Sequence, residues 1–229
     1  MKIKLLVIFF VLISTVAYSQ NNGDYNYSIG VRGYNYMQMP DVLNQTNNDN
    51  YLSSYFSSYL IKFNDNLFSY RINGSYLKND YKFYNNCESC ELVDGEMKDF
   101  SFKLGFEKSF NYSVIQPYVA FDLGYRSNKF KGVSHIINQD GTTDPGPVKN
   151  IHATKEGFTI TPAIGIKINP IKNLTLFAES NMEFFYSYER QEEVNPGSSN
   201  SLSLKKFNKG EYLINPVALG IQFHFDARN

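Results

Sequence analysis

The chain has 229 residues, and its 22 lysines and arginines balance 22 aspartates and glutamates. Without a basic excess to neutralise phosphates, this composition argues against a nucleic-acid-binding protein. The mean hydropathy is negative and no long apolar run follows residue 20, which excludes a helical membrane protein. The length fits one domain, and an all-β barrel of this size is common.

Residues 1–19 predict a signal peptide. Lys2 and Lys4 precede an apolar stretch at residues 5–16, and Ala17 and Ser19 follow at the small-residue spacing of a cleavage site. The stretch is well short of the roughly 20 residues that a membrane-spanning helix needs. We therefore expect residues 20–229 to form the mature domain, in a compartment that permits disulfides.

The rest of the chain alternates apolar and polar residues with period two, which is typical of β-strands. The alternation is clearest in residues 100–107, 115–126, 158–168 and 217–225, and weaker in 25–36, 55–63, 67–78 and 174–189. Short connections at 64–66, 108–113 and 169–173 alternate with long polar ones at 37–54, 79–95, 127–152 and 190–209. This pattern predicts eight antiparallel strands in an up-and-down barrel, with short turns at one end and long loops at the other.

These features resemble the small outer-membrane β-barrel proteins of OmpA/OmpX-like architecture. Proline followed by small residues and glycine, at 117–124, 162–165 and 216–220, is also similar to the outer membrane protein beta-barrel domain of Bacteroidota. The resemblance implies an all-β, eight-stranded antiparallel up-and-down transmembrane β-barrel in the bacterial outer membrane. It includes no catalytic signature, so it implies fold and location only.

Such a barrel would contact outer-membrane lipid and, during biogenesis, the barrel-assembly machinery. We expect a monomer without a cofactor and without nucleic acid. The identity of any extracellular ligand stays open.

The period alone does not say which face of the barrel is apolar, because a soluble lipocalin-like barrel has the same alternation with its apolar residues inside. Small residues such as Gly105, Ala120, Gly124 and Ala163 belong to the polar phase. An eight-stranded barrel has an interior just wide enough for side chains. We therefore predict that the polar phase faces inward and that the Phe-, Ile- and Leu-rich phase faces lipid.

The inward phase carries charges of both signs in equal number. Buried charges are tolerated when they are paired, since breaking a buried pair costs about 3–5 kcal/mol. We predict a salt-bridged interior that closes the barrel; the alternative is a narrow path for ions, protons or small solutes. The predicted network consists of Arg32, Lys62, Arg71, Lys103, Arg126 and Lys167 with Asp99, Glu107, Asp122, Glu179, Glu183 and Glu189.

Cys87 and Cys90 lie in the second long connection. A C-x-x-C pair can be a redox motif or half of a metal site, but the three histidines have no paired spacing that would complete one. In an exported chain the simplest prediction is a disulfide that stiffens this loop.

Two pairs of residues are candidates for catalysis. Glu179 and Glu183 could form an acid/base pair, and Ser134 and His135 are the one adjacent nucleophile and base, as a lipid-modifying outer-membrane enzyme would need. Neither pair stands in a recognisable catalytic pattern. We predict a non-enzymatic outer-membrane barrel whose outer loops serve surface interaction or envelope integrity; a narrow channel, a lipocalin-like binding barrel and a lipid-modifying enzyme are the alternatives.

Overall fold

The computed structural model describes residues 26–46, 51–86, 91–137, 148–195 and 201–225. Each strand pairs antiparallel with its neighbours in the chain, and the first pairs with the last, so the predicted closed eight-stranded barrel is confirmed. Among these residues no helix is long and apolar enough to cross a membrane. The strands are β1 (Tyr27–Gln38), β2 (Tyr51–Asp65), β3 (Phe68–Asn85), β4 (Glu91–Ser109), β5 (Ile115–Ile136), β6 (Lys149–Ile171), β7 (Leu174–Asn195) and β8 (Ser201–Phe225).

The strands are much longer than the sequence pattern indicates, reaching 25 residues in β8. The prediction of long loops at 79–95, 127–152 and 190–209 is wrong, because most of these residues extend β3 to β8. Their outward side chains, such as Lys82, Asp94 and Lys129, are charged and exposed. A strand with polar residues on both faces loses the alternation that identifies it.

We call the end of the barrel with the β2–β3, β4–β5 and β6–β7 connections the turn end, and the opposite end the loop end. Nearest the turn end, the outer surface is a belt of exposed apolar side chains, as Ile164 (65% exposed) and Leu123 (53%) illustrate. The apolar phase thus faces outward, as predicted, and a lipocalin-like arrangement is excluded. Exposed tyrosines border the belt on its loop-end side: Tyr55, Tyr76, Tyr125, Tyr186 and Tyr212.

Three prolines fall inside the strands, although a closed barrel has no free edge for a residue that lacks an N–H. Pro117 lies two residues into β5, beyond the end of the β4–β5 ladder, and its carbonyl accepts a hydrogen bond from the Phe110 N–H of the adjacent turn (3.0 Å). Pro216 lies at a bulge in the β7–β8 ladder. Pro162 falls where described β6–β7 pairing is interrupted, between Ile160 and Ala163. Pro117 and Pro216 therefore lie where the missing donor breaks no regular ladder, whereas the β6–β7 register continues unchanged across Pro162 and the ladder lacks its pairs there.

The wall of the barrel is uneven in height. The β2–β3 ladder covers only β2 residues 58–65, and the β1–β8 ladder ends at Tyr36↔Val217. By contrast, the β3–β4 ladder continues to Asn85↔Glu91 and the β7–β8 ladder to Asn195↔Ser201. Strands β3 to β8 consequently extend farther toward the loop end than β1 and β2, and they form a tall curved sheet there.

Candidate functional site

Arg71 of β3 is the centre of the inward charges nearest the turn end. Its Nε and Nη2 donate to the two carboxylate oxygens of Asp122 at 2.7 and 2.6 Å, and its Nη1 donates to Glu179 at 2.6 Å. Arg32 donates to the other oxygen of Glu179 at 2.9 Å. Because Arg71 is 1% exposed, its guanidinium depends on these two carboxylates for compensation of its charge.

Glu107 of β4 connects two lysines to this arginine. Lys62 and Lys167 donate to its two oxygens at 2.5 and 2.7 Å, and Arg71 contacts it at 3.5 Å. We call the connected residues the lower network; in the described part of the chain it contains four cations and three carboxylates, and so one surplus positive charge. Its members are Arg32, Lys62, Arg71, Lys167, Glu107, Asp122 and Glu179.

Tyr118 is a buried member of this region that sequence reasoning missed. Its hydroxyl donates to Glu179 at 3.0 Å, and its ring lies 5.6 and 5.3 Å from the ammonium groups of Lys62 and Lys167. A Cβ at Gly165 would come within 2.4 Å of this ring, so only glycine leaves room for it. The signal available in the sequence was its place on the inward phase of β5, between Gln116 and Ala120.

A second cluster, the middle network, surrounds Arg126 of β5. Arg126 donates to Asp99 at 2.9 Å and to Glu183 at 2.6 Å, and Lys103 also contacts Glu183. Asn128 donates to Asp99 at 2.8 Å. Two cations here meet two carboxylates, so this network is balanced in charge.

A third cluster lies nearer the loop end, where Lys155 contacts Glu189 at 3.2 Å and Glu211 at 3.0 Å. Lys209 contacts Glu211 at 2.9 Å and Asp41 at 3.2 Å. All twelve residues of the predicted network thus lie on the inward face, but in three clusters rather than one. Glu189 stands apart from the other eleven, and its partners were missed because they fall outside the predicted strands.

Beside this third cluster, the interior at the loop end is apolar. Residues 39–46, which we call the plug segment, lead from β1 into the barrel and bury Met39, Val42 and Leu43. Phe130, which is fully buried, packs over Gly95 and Gly132, where a Cβ would come within 2.8 and 2.7 Å of its ring. The loop-end core comprises Met37, Met39, Val42, Leu43, Tyr81, Phe83, Val93, Met97, Phe130, Ile151 and Ala153.

The plug segment is tied to both sides of the tall sheet. On β3, the Thr46 N–H donates to the Tyr84 carbonyl at 3.2 Å and the Asn44 N–H donates to the Asn85 side chain at 3.0 Å. On β8, the Asp41 N–H donates to the Glu211 carboxylate at 3.3 Å. The segment therefore spans the gap where the ladders of β1 and β2 have ended.

The space inside the barrel is divided. A cavity of about 50 Å³ lies among the lower and middle networks, and another of about 80 Å³ lies at the turn end. On β3, Asn73 lines the first and Ser69 the second, whereas Arg71 between them lines neither. Each cavity has room for a small number of waters. At the level of Arg71 the described interior is filled by side chains.

At the other extreme of the molecule, β8 has a free edge at residues 202–208, where no described strand pairs with it on the side away from β7. The Ile214 N–H points to this side, since it donates to Gln38 Oε1 at 3.0 Å. Backbone donors alternate in direction along an antiparallel strand. Leu202, Leu204 and Lys206 therefore present their N–H and C=O groups to solvent along the edge.

The remaining candidate residues are separated or paired. Ser134 is buried and donates to Glu91 at 3.3 Å, whereas His135 points to the opposite face because successive strand residues alternate. They do not form a nucleophile–base pair. Glu179 and Glu183 belong to different ion-pair networks. Cys87 and Cys90 lie outside the described residues, and their disulfide stays a prediction.

Glu91 begins β4 at the loop end and is held by a polar cluster. It accepts hydrogen bonds from Lys149 at 2.6 Å, from Asn85 at 2.8 Å and from Ser134 at 3.3 Å. Partial burial acts to raise the pKa of Glu91, but these hydrogen bonds and the charge of Lys149 outweigh it, so the pKa lies below its usual value. The carboxylate consequently joins β3, β4, β5 and β6 at the loop end.

Comparison with solved structures supports the fold. No protein-family model and no curated protein sequence matches the chain. The chain is similar to the outer membrane protein OprG from Pseudomonas aeruginosa, with a TM-score of 0.56, 10% identity and coverage of 90% of this chain and 99% of that one. It is also similar to a major outer membrane protein from Thermus thermophilus, with a TM-score of 0.52, 11% identity and coverage of 89% and 100%. At these identities the likeness establishes the barrel fold alone.

Proposed function

We propose that this chain is a non-enzymatic barrel of the bacterial outer membrane that binds an extended segment of an extracellular partner along the free edge of β8. The single observation that carries the proposal is the tall sheet of β3 to β8, which ends in an unpaired strand edge at residues 202–208. In the proposed orientation the turn end faces the periplasm and the loop end faces the outside.

The outer surface supports a membrane location. Outward apolar positions run from Ile115 to Tyr125 on β5 and from Phe158 to Ile168 on β6. These lengths agree with the roughly 9–11 residues of a tilted membrane-spanning strand. Tyrosines at the boundary of the belt match the aromatic girdles of outer-membrane barrels. We expect the protein to fractionate with outer membranes and to resist carbonate extraction; recovery in the soluble fraction would contradict the location.

The filled interior favours a binding role over transport. Arg71, Lys62 and Glu107 are at most 2% exposed and occupy the level between the two cavities. Moving an ion past them would require breaking ion pairs that are buried on all sides. In planar bilayers we expect no stable unitary conductance. A reproducible conductance that changes with Arg71 substitution would favour the channel alternative.

The free edge has the properties of a strand-addition site. An unpaired edge offers a row of N–H and C=O groups, and an extended peptide can complete the ladder while its side chains contact neighbouring positions. Outward Leu202 and Leu204 are 62% and 43% exposed, and Lys205 and Lys206 add positive charge on both faces. Lysines on an edge also hinder its pairing with a second identical edge. The chemistry therefore fits a segment that alternates apolar and acidic residues.

The experiment separates backbone pairing from side-chain contact. Lys206→Pro removes an edge donor without removing a hydrogen bond to β7, while Lys206→Ala keeps the donor and removes the charge. Displayed random peptides would be selected on the unmodified barrel in lipid nanodiscs. We expect the selected peptides to lose binding to Lys206→Pro much more than to Lys206→Ala. Equal binding to both variants, or peptides that compete at another surface, would contradict strand addition.

A further inference from the structure

The cavity at the turn end has a lining of unusual charge. Lys167 and Lys172 contribute to it, and the remaining lining is made of hydroxyl, amide and imidazole groups and a leucine, with no carboxylate among the described lining residues. Its volume of about 80 Å³ is sufficient for one small ion with part of its hydration. Lys172 belongs to the β6–β7 turn, so the cavity lies at the mouth of the barrel.

A buried donor without a partner lines this cavity. Gln116 is 4% exposed, and its Nε2 has no hydrogen-bond partner among the described residues. Buried polar groups are nearly always hydrogen-bonded, and an exception calls for an explanation such as a bound ion. Gln116 pairs with Lys167 across the β5–β6 ladder, and an unpartnered amide N–H beside a cavity lined by lysines calls for an acceptor that carries negative charge.

The adjacent ion pairs leave a charge for that acceptor to neutralise. Lys167 uses two of its three donors on Glu107 and Ser109, both at 2.7 Å, which leaves one donor. Both oxygens of Glu107 are already occupied by the two lysines, Lys62 and Lys167. Within the described residues, the lower network carries four cations against three carboxylates. One monovalent anion would balance it.

We propose that the cavity at the turn end binds a small monovalent inorganic anion of the halide class, held by Lys167 and by the Nε2 group of Gln116. Hydroxyl groups such as that of Ser109 complete a shell of donors. The site is independent of the free edge of β8, so either proposal can fail without the other.

The first test locates the ion. Crystals of the unmodified barrel grown in bromide should show an anomalous difference peak in contact with Lys167 Nζ and Gln116 Nε2. Absence of a peak in the cavity, whether or not peaks are seen at surface lysines, would overturn the proposal.

The second test measures affinity in solution by the broadening of the chloride-35 resonance in the presence of the detergent-solubilised barrel. Gln116→Met keeps the length of the side chain and removes its amide; it should weaken chloride binding about tenfold, since a hydrogen bond to a charged group is lost. Gln222→Met is the matched control, because Gln222 is equally buried and its Nε2 is also unpartnered, but it does not line the cavity.

Folding of each variant is checked by its heat-dependent mobility in gels. If Gln116→Met does not fold, Lys172→Gln on the exposed turn replaces it, with a smaller expected loss of affinity because this lysine is at the rim. Equal chloride affinity in the cavity variant and in Gln222→Met would overturn the assignment of the site.

Discussion

The two halves of this barrel are filled in opposite ways. Toward the turn end the interior contains the lower and middle networks of buried charges, while toward the loop end an apolar core centred on Phe130 adjoins the smaller charge cluster of Lys155. The wall differs as well: around the lower network all eight strands pair in a closed ring, whereas around the core the β2–β3 and β1–β8 ladders have ended.

The two halves are therefore held together by different interactions. A closed ladder satisfies its own backbone groups, so the interior that it surrounds can hold paired charges. Where the wall is open, apolar burial has to hold the elements together. The stability of the charged half should accordingly depend on each ion-pair partner. The stability of the apolar half should depend on the volume of its buried side chains.

The largest expected effect on stability comes from removing the cation at the centre of the lower network. Arg71→Met leaves Asp122 and Glu179 buried without their main cation, and should lower the free energy of unfolding by about 3–5 kcal/mol. Denaturant titration of the barrel in lipid vesicles measures it. Adding Asp122→Asn and Glu179→Gln to the same chain should restore part of the loss. A stability close to that of the unmodified protein would show that the network does not depend on this arginine.

A charge on the outside of the wall is the next test, because the belt should tolerate no cation. Leu219→Arg and Phe121→Arg should each reduce the stability of the membrane-inserted barrel by about 2–4 kcal/mol. Leu202→Arg is the matched control, since Leu202 is exposed above the belt. Equal assembly of Leu219→Arg and Leu202→Arg would mean that the belt does not contact lipid.

A smaller effect should follow from removing volume at the loop end. Val42 of the plug segment is 1% exposed, and Val42→Ala should cost about 1.5 kcal/mol, at about 0.8 kcal/mol for each methylene. Hydrogen exchange should locate the loss in the plug segment and the loop-end parts of β3 to β6. Val119→Ala, on the exposed belt, is the control and should leave that region unchanged. Faster exchange near Arg71 would contradict the independence of the two halves.

The smallest expected effect is the pH dependence of local stability around Glu91, at the loop end of β4. Because the folded state holds the pKa of Glu91 below its usual value, the stabilisation is present above the ordinary carboxylate pKa and is lost as the pH falls through the folded one. The loss should stay below about 1 kcal/mol, as expected for a partly exposed pair. Hydrogen exchange at the start of β4 between neutral and acidic pH measures it. Glu91→Gln should remove this pH dependence; if it persists, another group is responsible.

The sequence predicted what depends on short-range alternation. Strand number, pairing order and the inward phase follow from local patterns such as Phe100, Phe102 and Leu104. The strand ends were not predictable, because outward Lys82 and Lys129 stand in solvent and remove the alternation. Pairing partners were not predictable either, since Asp122 and Glu179 are 51 and 108 positions from Arg71. The surplus charge and the unpartnered Gln116 amide appear only when those partners are known.

The plug segment also has a consequence for the order in which the molecule forms. Asp41 meets Glu211 and Lys209, which follow it by 170 and 168 positions, so these contacts cannot form before the last strand has been synthesised and placed. Contacts of such separation form late, because the chain between them must be ordered first. The contacts of Asp41 with β8 therefore form only after β8 has joined the barrel. Until β8 is in place, the plug segment lacks its attachment on that side of the tall sheet.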